Sequence, residues 1–329
     1  MKAICHIGFP KTGSKTIQEF LHLNATALQQ QGFLYRRFRS WDPMQVEYVE
    51  LAFRKVRRNF DDIQHRLRFG VPSQQKLDAQ ADDIETWFSK ERHGQQAHTW
   101  LISSEVVPVF LSGRPGATAL HEWMSSQFDS VTYVLYLRRQ DLWAASEYSQ
   151  HLRHGHSSTL EEYLAGNRGF NYMKLYRLWA SIAGADRITV RLLEADALKN
   201  KDLLEDYCDI AGIDIADLAR PQRHNESFSR RGAELVRRVN ALTARFFEVQ
   251  SKPSRVIRKA GQVIAQTMFG GGKKIRLSDT ERGAILARFA QSNENLRRAC
   301  FPDRATLFEM PAAAPTSQGA PRGATAKHP

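Results

Sequence analysis

Nowhere along these 329 residues do apolar side chains run on for the ~20 positions that a bilayer-spanning helix needs, so no membrane span is expected. The apolar run at the start breaks at Gly8 and Pro10, too short for the core of an export signal and without a small-residue cleavage pattern. A cytoplasmic location, with peripheral contact at the inner face of the membrane, is the expectation. Cysteine is scarce. Cys5, Cys208 and Cys300 stand far apart, which excludes a disulfide framework and a metal site at cysteine spacing. Acidic residues nearly vanish from one stretch: between 230 and 276 only Glu234 and Glu248 oppose twelve Lys and Arg, so that segment holds +10 of the chain's formal +12. A field of that sign attracts anions, whether a nucleotide, an acidic polysaccharide, anionic lipid or nucleic acid; the plainer alternative is a solvated helix face.

What is present alternates strand and helix. Residues 2–8 form a short apolar run, after which Ile17, Phe20, Leu21 and Leu28 recur at helical spacing, a βα unit. Residues 44–67 and 77–88 also show helical periodicity, with Pro72 and Ser73 between them, and read as crossover helices. Residues 99–103, 131–137 and 187–192 are short runs rich in β-branched or aromatic side chains, each followed by helical patterning. Strands alternating with helices imply a parallel sheet. After Arg220 the strand signal stops, and 233–247, 254–268 and 278–298 read as helices. The expected fold is α/β, a P-loop-like three-layer arrangement with a central parallel sheet of about four to five strands and a helical C-terminal extension. One domain is expected over 1–310, its helical and strongly basic part at 220–300. Residues 311–329 hold Pro, Gly, Ser and Ala with almost no large apolar side chain, a composition that predicts a disordered tail.

The segment after the first strand, HIGFPKTGSKT at 6–16, has the chemistry of an anion cradle. A tetrahedral oxyanion is best held by converging backbone N–H groups at a helix N-terminus, where the macrodipole is positive. Gly13 lets the backbone approach, Ser14 and Thr16 add hydroxyls, and Lys11 brings a cation into the loop. The plain alternative is an ordinary loop with a serine cap. The order is not G-x-x-x-x-G-K-[ST]: Gly8 and Gly13 have that spacing, but Ser14 follows and Lys15 comes one position late. Further on, the run through Val134–Leu137 ends in Arg138-Arg139, with Ser146 eight positions after Arg138. A strand-end arginine and a serine two helical turns on can converge on one phosphate. LISSE places Glu105 past the end of the 99–103 strand, at the sheet edge where open α/β proteins bind ligands.

PKTGSKT resembles the first motif of the sulfotransferases that use 3′-phosphoadenosine-5′-phosphosulfate, with the lysine upstream of the glycine, and YLRRQDLWAASEYSQ resembles their second. Softer matches are Tyr172, Trp179, VRLLE at 190–194, HNES at 224–227 and SNENL at 292–296 followed by Phe301-Pro302. The resemblance runs to about residue 308 and is closest to the bacterial carbohydrate and glycolipid enzymes. It implies that Lys11 stabilises the bridging oxygen as the S–O bond breaks, that Thr12, Gly13, Ser14, Lys15 and Thr16 hold the 5′-phosphate, and that Arg138 and Ser146 hold the 3′-phosphate. No metal is expected. Lys15 departs from the pattern: it is either a second cation for the sulfuryl group or a helix-surface charge. The family's C-terminal Arg-Lys-Gly element has two possible counterparts, Arg230-Arg231-Gly232 and Gly272-Lys273-Lys274.

In-line transfer also needs a base near the acceptor hydroxyl. Glu105 is the candidate, matching an SSE segment in bacterial members, although it could equally cap or pair with a neighbouring helix. His151, His154 and His156, expected at an exposed helix end, are its rivals. His6, inside the first strand, reads as packed. The implied partner is a carbohydrate or glycolipid acceptor, with no nucleic acid. Two other readings stay open: a P-loop kinase that uses ATP and a metal, with Glu105 as ligand, and a non-catalytic binder of anionic membrane or nucleic acid through 230–276.

Overall fold

The computed structural model describes residues 1–40, 43–56, 73–166, 171–222, 227–249, 251–270 and 274–309. Its centre is a sheet of five strands, β1 (Lys2–His6), β2 (Phe33–Tyr35), β3 (Thr99–Ser103), β4 (Ser130–Leu137) and β5 (Ile188–Leu192). They lie in the order β2-β3-β1-β4-β5, every neighbouring pair parallel. Among the described residues the α-helices are, in chain order, α1 (Ser14–Leu23), α2 (Ala25–Gln30), α3 (Glu47–Val56), α4 (Gln74–Arg92), α5 (Val107–Phe110), α6 (Arg114–Gln127), α7 (Gln140–Arg153), α8 (Leu160–Gly166), α9 (Tyr172–Ala183), α10 (Leu203–Ala211), α11 (Arg230–Phe246), α12 (Lys252–Phe269) and α13 (Asp279–Cys300).

A parallel sheet is covered on both faces, and here the period-two alternation of the strands sorts residues into two cores. Ala3, Cys5, Trp100, Ile102, Tyr133 and Leu135 meet Val49, Phe53, Leu77, Phe88, Leu120 and Trp179 from α3, α4, α6 and α9. On the opposite face Leu101, Val134 and Tyr136 meet Ile17, Phe20, Leu28, Leu204 and Tyr207 from α1, α2 and α10. Each Val, Leu, Ile or Phe among them, fully buried, contributes roughly 1.5–3 kcal/mol of hydrophobic stabilisation, and the result is three layers around one sheet.

Two boundaries differ from the periodicity reading. The first strand stops at His6 rather than Gly8, where the chain enters a tight loop. The helix expected through Leu28 is two helices, because Asn24 donates to the carbonyls of Phe20 (2.8 Å) and Ala219 (2.9 Å) and accepts from the Ala219 N–H (2.8 Å). A side chain that bonds backbone locally competes with helix continuation. β2, only three residues long, gave no sequence signal. The three C-terminal helices start where serines cap them: Ser229 accepts from the Gly232 N–H, Ser251 from Ser254, and Ser278 closes a capping box with Glu281. Residues 57–67 of the helix expected at 44–67, most of the HNES segment, residues 271–273 and the tail at 311–329 lie outside the described residues. Among the described residues no helix is long and apolar enough to cross a membrane.

Candidate functional site

β1, β3 and β4 all deliver their carboxyl ends to the same edge of the sheet, and the loops that follow them build one cleft of about 1000 Å³. After β1 the chain curls around the carbonyl of Phe9, which accepts from the Thr12 hydroxyl (2.6 Å), the Thr12 N–H (3.3 Å) and the Ser14 hydroxyl (3.2 Å). Gly13 then caps α1 at φ 90°, and a Cβ there would stand 2.3 Å from Leu203 Cδ2. Only glycine meets both conditions without strain. The ten-residue α1 has no side-chain cap at its N-terminus, and its first residues, Ser14, Lys15 and Thr16, line the cleft together with Gly13, which puts the positive end of its dipole at the cleft wall. A Gly13→Ala variant is expected to lose about 1–3 kcal/mol of stability, checked by thermal unfolding; a wild-type melting temperature would show that the loop does not depend on this conformation.

The second wall is α7. Three hydrogen bonds stitch it and the end of β4 to the loop: Trp143 Nε1 donates to the Pro10 carbonyl (3.0 Å), Lys11 Nζ to Gln150 Oε1 (3.1 Å) and Arg138 Nη1 to the Lys11 carbonyl (3.1 Å). Burial pushes the pKa of Arg138 down, yet a guanidinium stays charged in proteins, so a partly desolvated cation sits at the strand end where an anion would compensate it. Its own carbonyl accepts from the Tyr172 hydroxyl (2.6 Å), which fixes the backbone at this point. Arg139 points elsewhere, to Asp141 at 2.7 Å and the carbonyl of Glu309.

Of the nine residues named from the sequence for cosubstrate and base, eight line the cleft: Lys11, Gly13, Ser14, Lys15, Thr16, Glu105, Arg138 and Ser146. Thr12 is the exception. It is fully buried, with both its hydroxyl and its N–H given to Phe9, so it closes the loop from inside and does not face a ligand. Lys15 is at the rim on the surface of α1, 3.8 Å from Glu19 one turn on, the geometry of a helix-surface pair.

The histidines divide. His151 and His154 line the cleft and His156 does not. His151 is half-buried, stacks on His156 with centroids 3.8 Å apart, and places Nε2 at 2.9 Å from Ser158 Oγ. Burial first, then His156 and His154, push its pKa down to about 4, which corrects the expectation of an ordinary exposed imidazole. His6 is packed, as expected, with burial pushing it down to about 3 and Nδ1 at 2.8 Å from Ser103 Oγ.

The residue that sequence reasoning passed over is Glu147. It lines the cleft, its Oε2 is buried without a hydrogen-bond partner, and burial raises its pKa to about 7, with Glu105 adding to the rise and Lys11 opposing it. Trp143, Glu147, Gln150 and His154 follow one another at three- and four-residue steps, the signature of one helix face; that period, followed along α7, would have found it.

No protein-family model matches the chain. An uncharacterized protein of Archaeoglobus fulgidus is 26% identical over 171 residues, which is 51% of this chain and 45% of that protein, so the match spans less than half of that relative. Among solved structures, a sulfotransferase from Alicyclobacillus acidocaldarius superposes with a TM-score of 0.43 at 12% identity, over 85% of this chain and 98% of that one. A likeness of that size assigns no function.

Proposed function

We propose that this protein is a sulfotransferase that binds 3′-phosphoadenosine-5′-phosphosulfate across the cleft and moves its sulfuryl group in line to a hydroxyl of a carbohydrate or glycolipid, in the cytoplasm. One observation carries the reading: two anion-holding elements, the N-terminus of α1 with Lys11 and the Arg138 and Ser146 pair, open onto the same cleft. Two separated phosphate positions suit a nucleotide phosphorylated at both 5′ and 3′ ends, whereas ATP carries its phosphates in one chain. The donor set fits such a ligand, since N–H groups at a helix N-terminus, a hydroxyl and a partly buried guanidinium are all anion donors.

In this reading the N–H groups of 13–16 and the Thr16 hydroxyl hold the 5′-phosphate, while the Ser14 hydroxyl, like that of Thr12, is given to the Phe9 carbonyl. Lys11 stabilises negative charge that grows on the bridging oxygen. Arg138 and Ser146 hold the 3′-phosphate. Glu147 accepts the proton of the attacking hydroxyl, since a base with a pKa near the working pH is the most effective one; Glu105 lies close enough to raise that pKa. Met44, Val109 and Phe110 line the same cleft and offer apolar surface against which an acceptor could lie. The acceptor class follows the motif resemblance to bacterial carbohydrate and glycolipid enzymes.

The test pairs binding with transfer. Adenosine 3′,5′-bisphosphate is expected to bind in the presence of a metal chelator, and Arg138→Ala to weaken that binding roughly tenfold to a hundredfold. Sulfur-labelled cosubstrate, offered with a panel of polysaccharide and glycolipid precursors, should label at least one of them. Magnesium-dependent binding of ATP with no affinity for the bisphosphate would replace this reading by the kinase.

A further inference from the structure

α11 and α12 pack on each other, and together they leave apolar side chains in solvent. On α12 the buried residues are Ser254, Arg258, Gly261 and Ala265. At about 100° per residue these fall on one face. Val256, Ile257, Val263, Ile264 and Met268 fall on another, all of them exposed, Val256 to 69% and Met268 to 67%. Lys252, Arg255 and Lys259, also exposed, form a third strip that borders the apolar one. α11 repeats the pattern. Leu242 and Phe246 are exposed, Phe246 to 71%, beside Arg245. The two apolar surfaces meet at the seam between the helices. Val239, which shares a face with Leu242 and Phe246, packs on Gly261, and Ile257, Ile264 and Met268 lie within about a sixth of a turn of Gly261 around α12.

This surface is carried on a rigid support. Arg258, buried between the helices and the end of α7, donates to the carbonyls of His154 (2.8 Å) and Val249 (2.9 Å). Gly155, at φ 97°, makes room for it, since a Cβ there would stand 1.6 Å from Arg258 Nη1. Asn240 donates to the carbonyls of Leu152 (2.7 Å) and His156 (2.8 Å), and Gln262 to that of Arg153 (3.1 Å). The α11 and α12 pair is thus fastened to the last turn of α7, the helix that brings Ser146 and Glu147 to the cleft.

We propose that the α11 and α12 pair docks on an anionic bilayer surface. Phe246, Val256, Val263, Ile264 and Met268 enter the boundary between headgroups and acyl chains, and Lys252, Arg255 and Lys259 lie over lipid phosphates. A helix with one apolar strip and a flanking row of cations is the form that lies in a membrane interface, and anionic lipid adds attraction for each cation near the surface. Nucleic acid would use the cations and leave the apolar strip in water, so the exposed Phe246, Val256 and Met268 favour the bilayer. The docking depends on no step of the transfer reaction, and it would hold the cleft close to an acceptor presented by lipid.

Co-sedimentation of the full chain with vesicles tests it. Vesicles of equal parts phosphatidylglycerol and phosphatidylcholine are expected to bind the protein at least about tenfold more tightly than phosphatidylcholine alone, and added salt should weaken that binding. A Phe246→Ser/Val256→Ser/Val263→Ser variant should lose binding by about tenfold or more while its circular dichroism and its affinity for adenosine 3′,5′-bisphosphate stay at wild-type values. A Lys252→Gln/Arg255→Gln/Lys259→Gln variant should lose the preference for anionic vesicles. Any of four results overturns the proposal: no binding to anionic vesicles, binding unchanged in the serine variant, binding of duplex DNA in place of vesicles, or a concentration-dependent dimer that the serine variant dissolves and that binds no vesicle. Bisphosphate binding and label transfer are read separately, so failure here leaves the proposed activity standing.

Discussion

Glu147→Gln is expected to lower sulfuryl transfer by a factor of about 10²–10⁴ and, at pH 8, to make the protein more stable. Both effects come from one placement. Burial of the carboxyl, first, and the charge of Glu105 raise its pKa from 4.5 to about 7 against the opposing charge of Lys11, so the folded state prefers the protonated form. A group raised in this way contributes stability that is fully present below about pH 4.5 and is lost as pH rises through about 7. At about 1.36 kcal/mol per unit, the ionised carboxylate costs on the order of 3 kcal/mol above pH 7, and the neutral amide escapes that cost. Thermal unfolding at pH 5 and pH 8 should therefore show a gap between variant and wild type that is small at the lower pH and several-fold larger at the higher; an equal gap at both would sink the assignment of the shift. The wild-type kcat/KM should climb with pH and level off above about 7, and the variant's residual rate should stay flat. Glu105→Gln separates the two carboxylates. Removing the negative charge that helps to raise Glu147 should move the plateau to lower pH with a small loss of rate, whereas a loss as large as that of Glu147→Gln would make Glu105 the base.

Lys11→Ala should cost about 10²–10³ in kcat, the range seen when one donor to a developing charge is removed. Lys11 sits in the loop at φ 67° with Nζ 3.1 Å from Gln150 Oε1, so its ammonium is positioned before any ligand arrives. In the proposed transfer, charge on the bridging oxygen grows only as the S–O bond breaks, so the lysine would contribute more in the transition state than in the bound ground state. The affinity for adenosine 3′,5′-bisphosphate should accordingly change much less than kcat. Because the left-handed backbone is strained for alanine and tolerated by asparagine, Lys11→Asn is the companion variant: equal losses in both assign the effect to the missing charge. Transfer at the wild-type rate in either would remove Lys11 from the mechanism.

How much of this was legible depended on the length scale of the signal. β1, β3, β4 and β5 could be read because each is a run of apolar or β-branched residues bounded by turns, and α11, α12 and α13 because their period stands in the primary structure. β2 escaped because three residues carry no period. That Lys11, Arg138 and Ser146 would meet at one cleft was legible through motif spacing. The residues mislaid or misjudged are those whose role depends on a contact far away in sequence. Thr12 has the hydroxyl of a ligand residue, yet the carbonyl of Phe9 takes it. His151 looks like an exposed helix-end imidazole until His156 stacks on it. Lys15 meets Glu19 only because α1 continues through both.

Glu147 shows where the division falls. That a strand enters a glycine-containing loop with Lys11 and leaves through a helix N-terminus is local, and the sequence by itself determined it, because turn chemistry and helix capping act over a few residues. That a basic segment would follow 230 was equally determined, being composition. Which carboxylate loses its water was decided by the tertiary structure alone: the loop after β1 folds over α7, and Lys11, Glu105 and Glu147 come together from three separate elements. The same holds for Val256 and Phe246, apolar residues whose exposure follows from which helix faces α7 and the α11–α12 seam take up. Desolvation depends on everything packed around a group, and that is set only once the layers close.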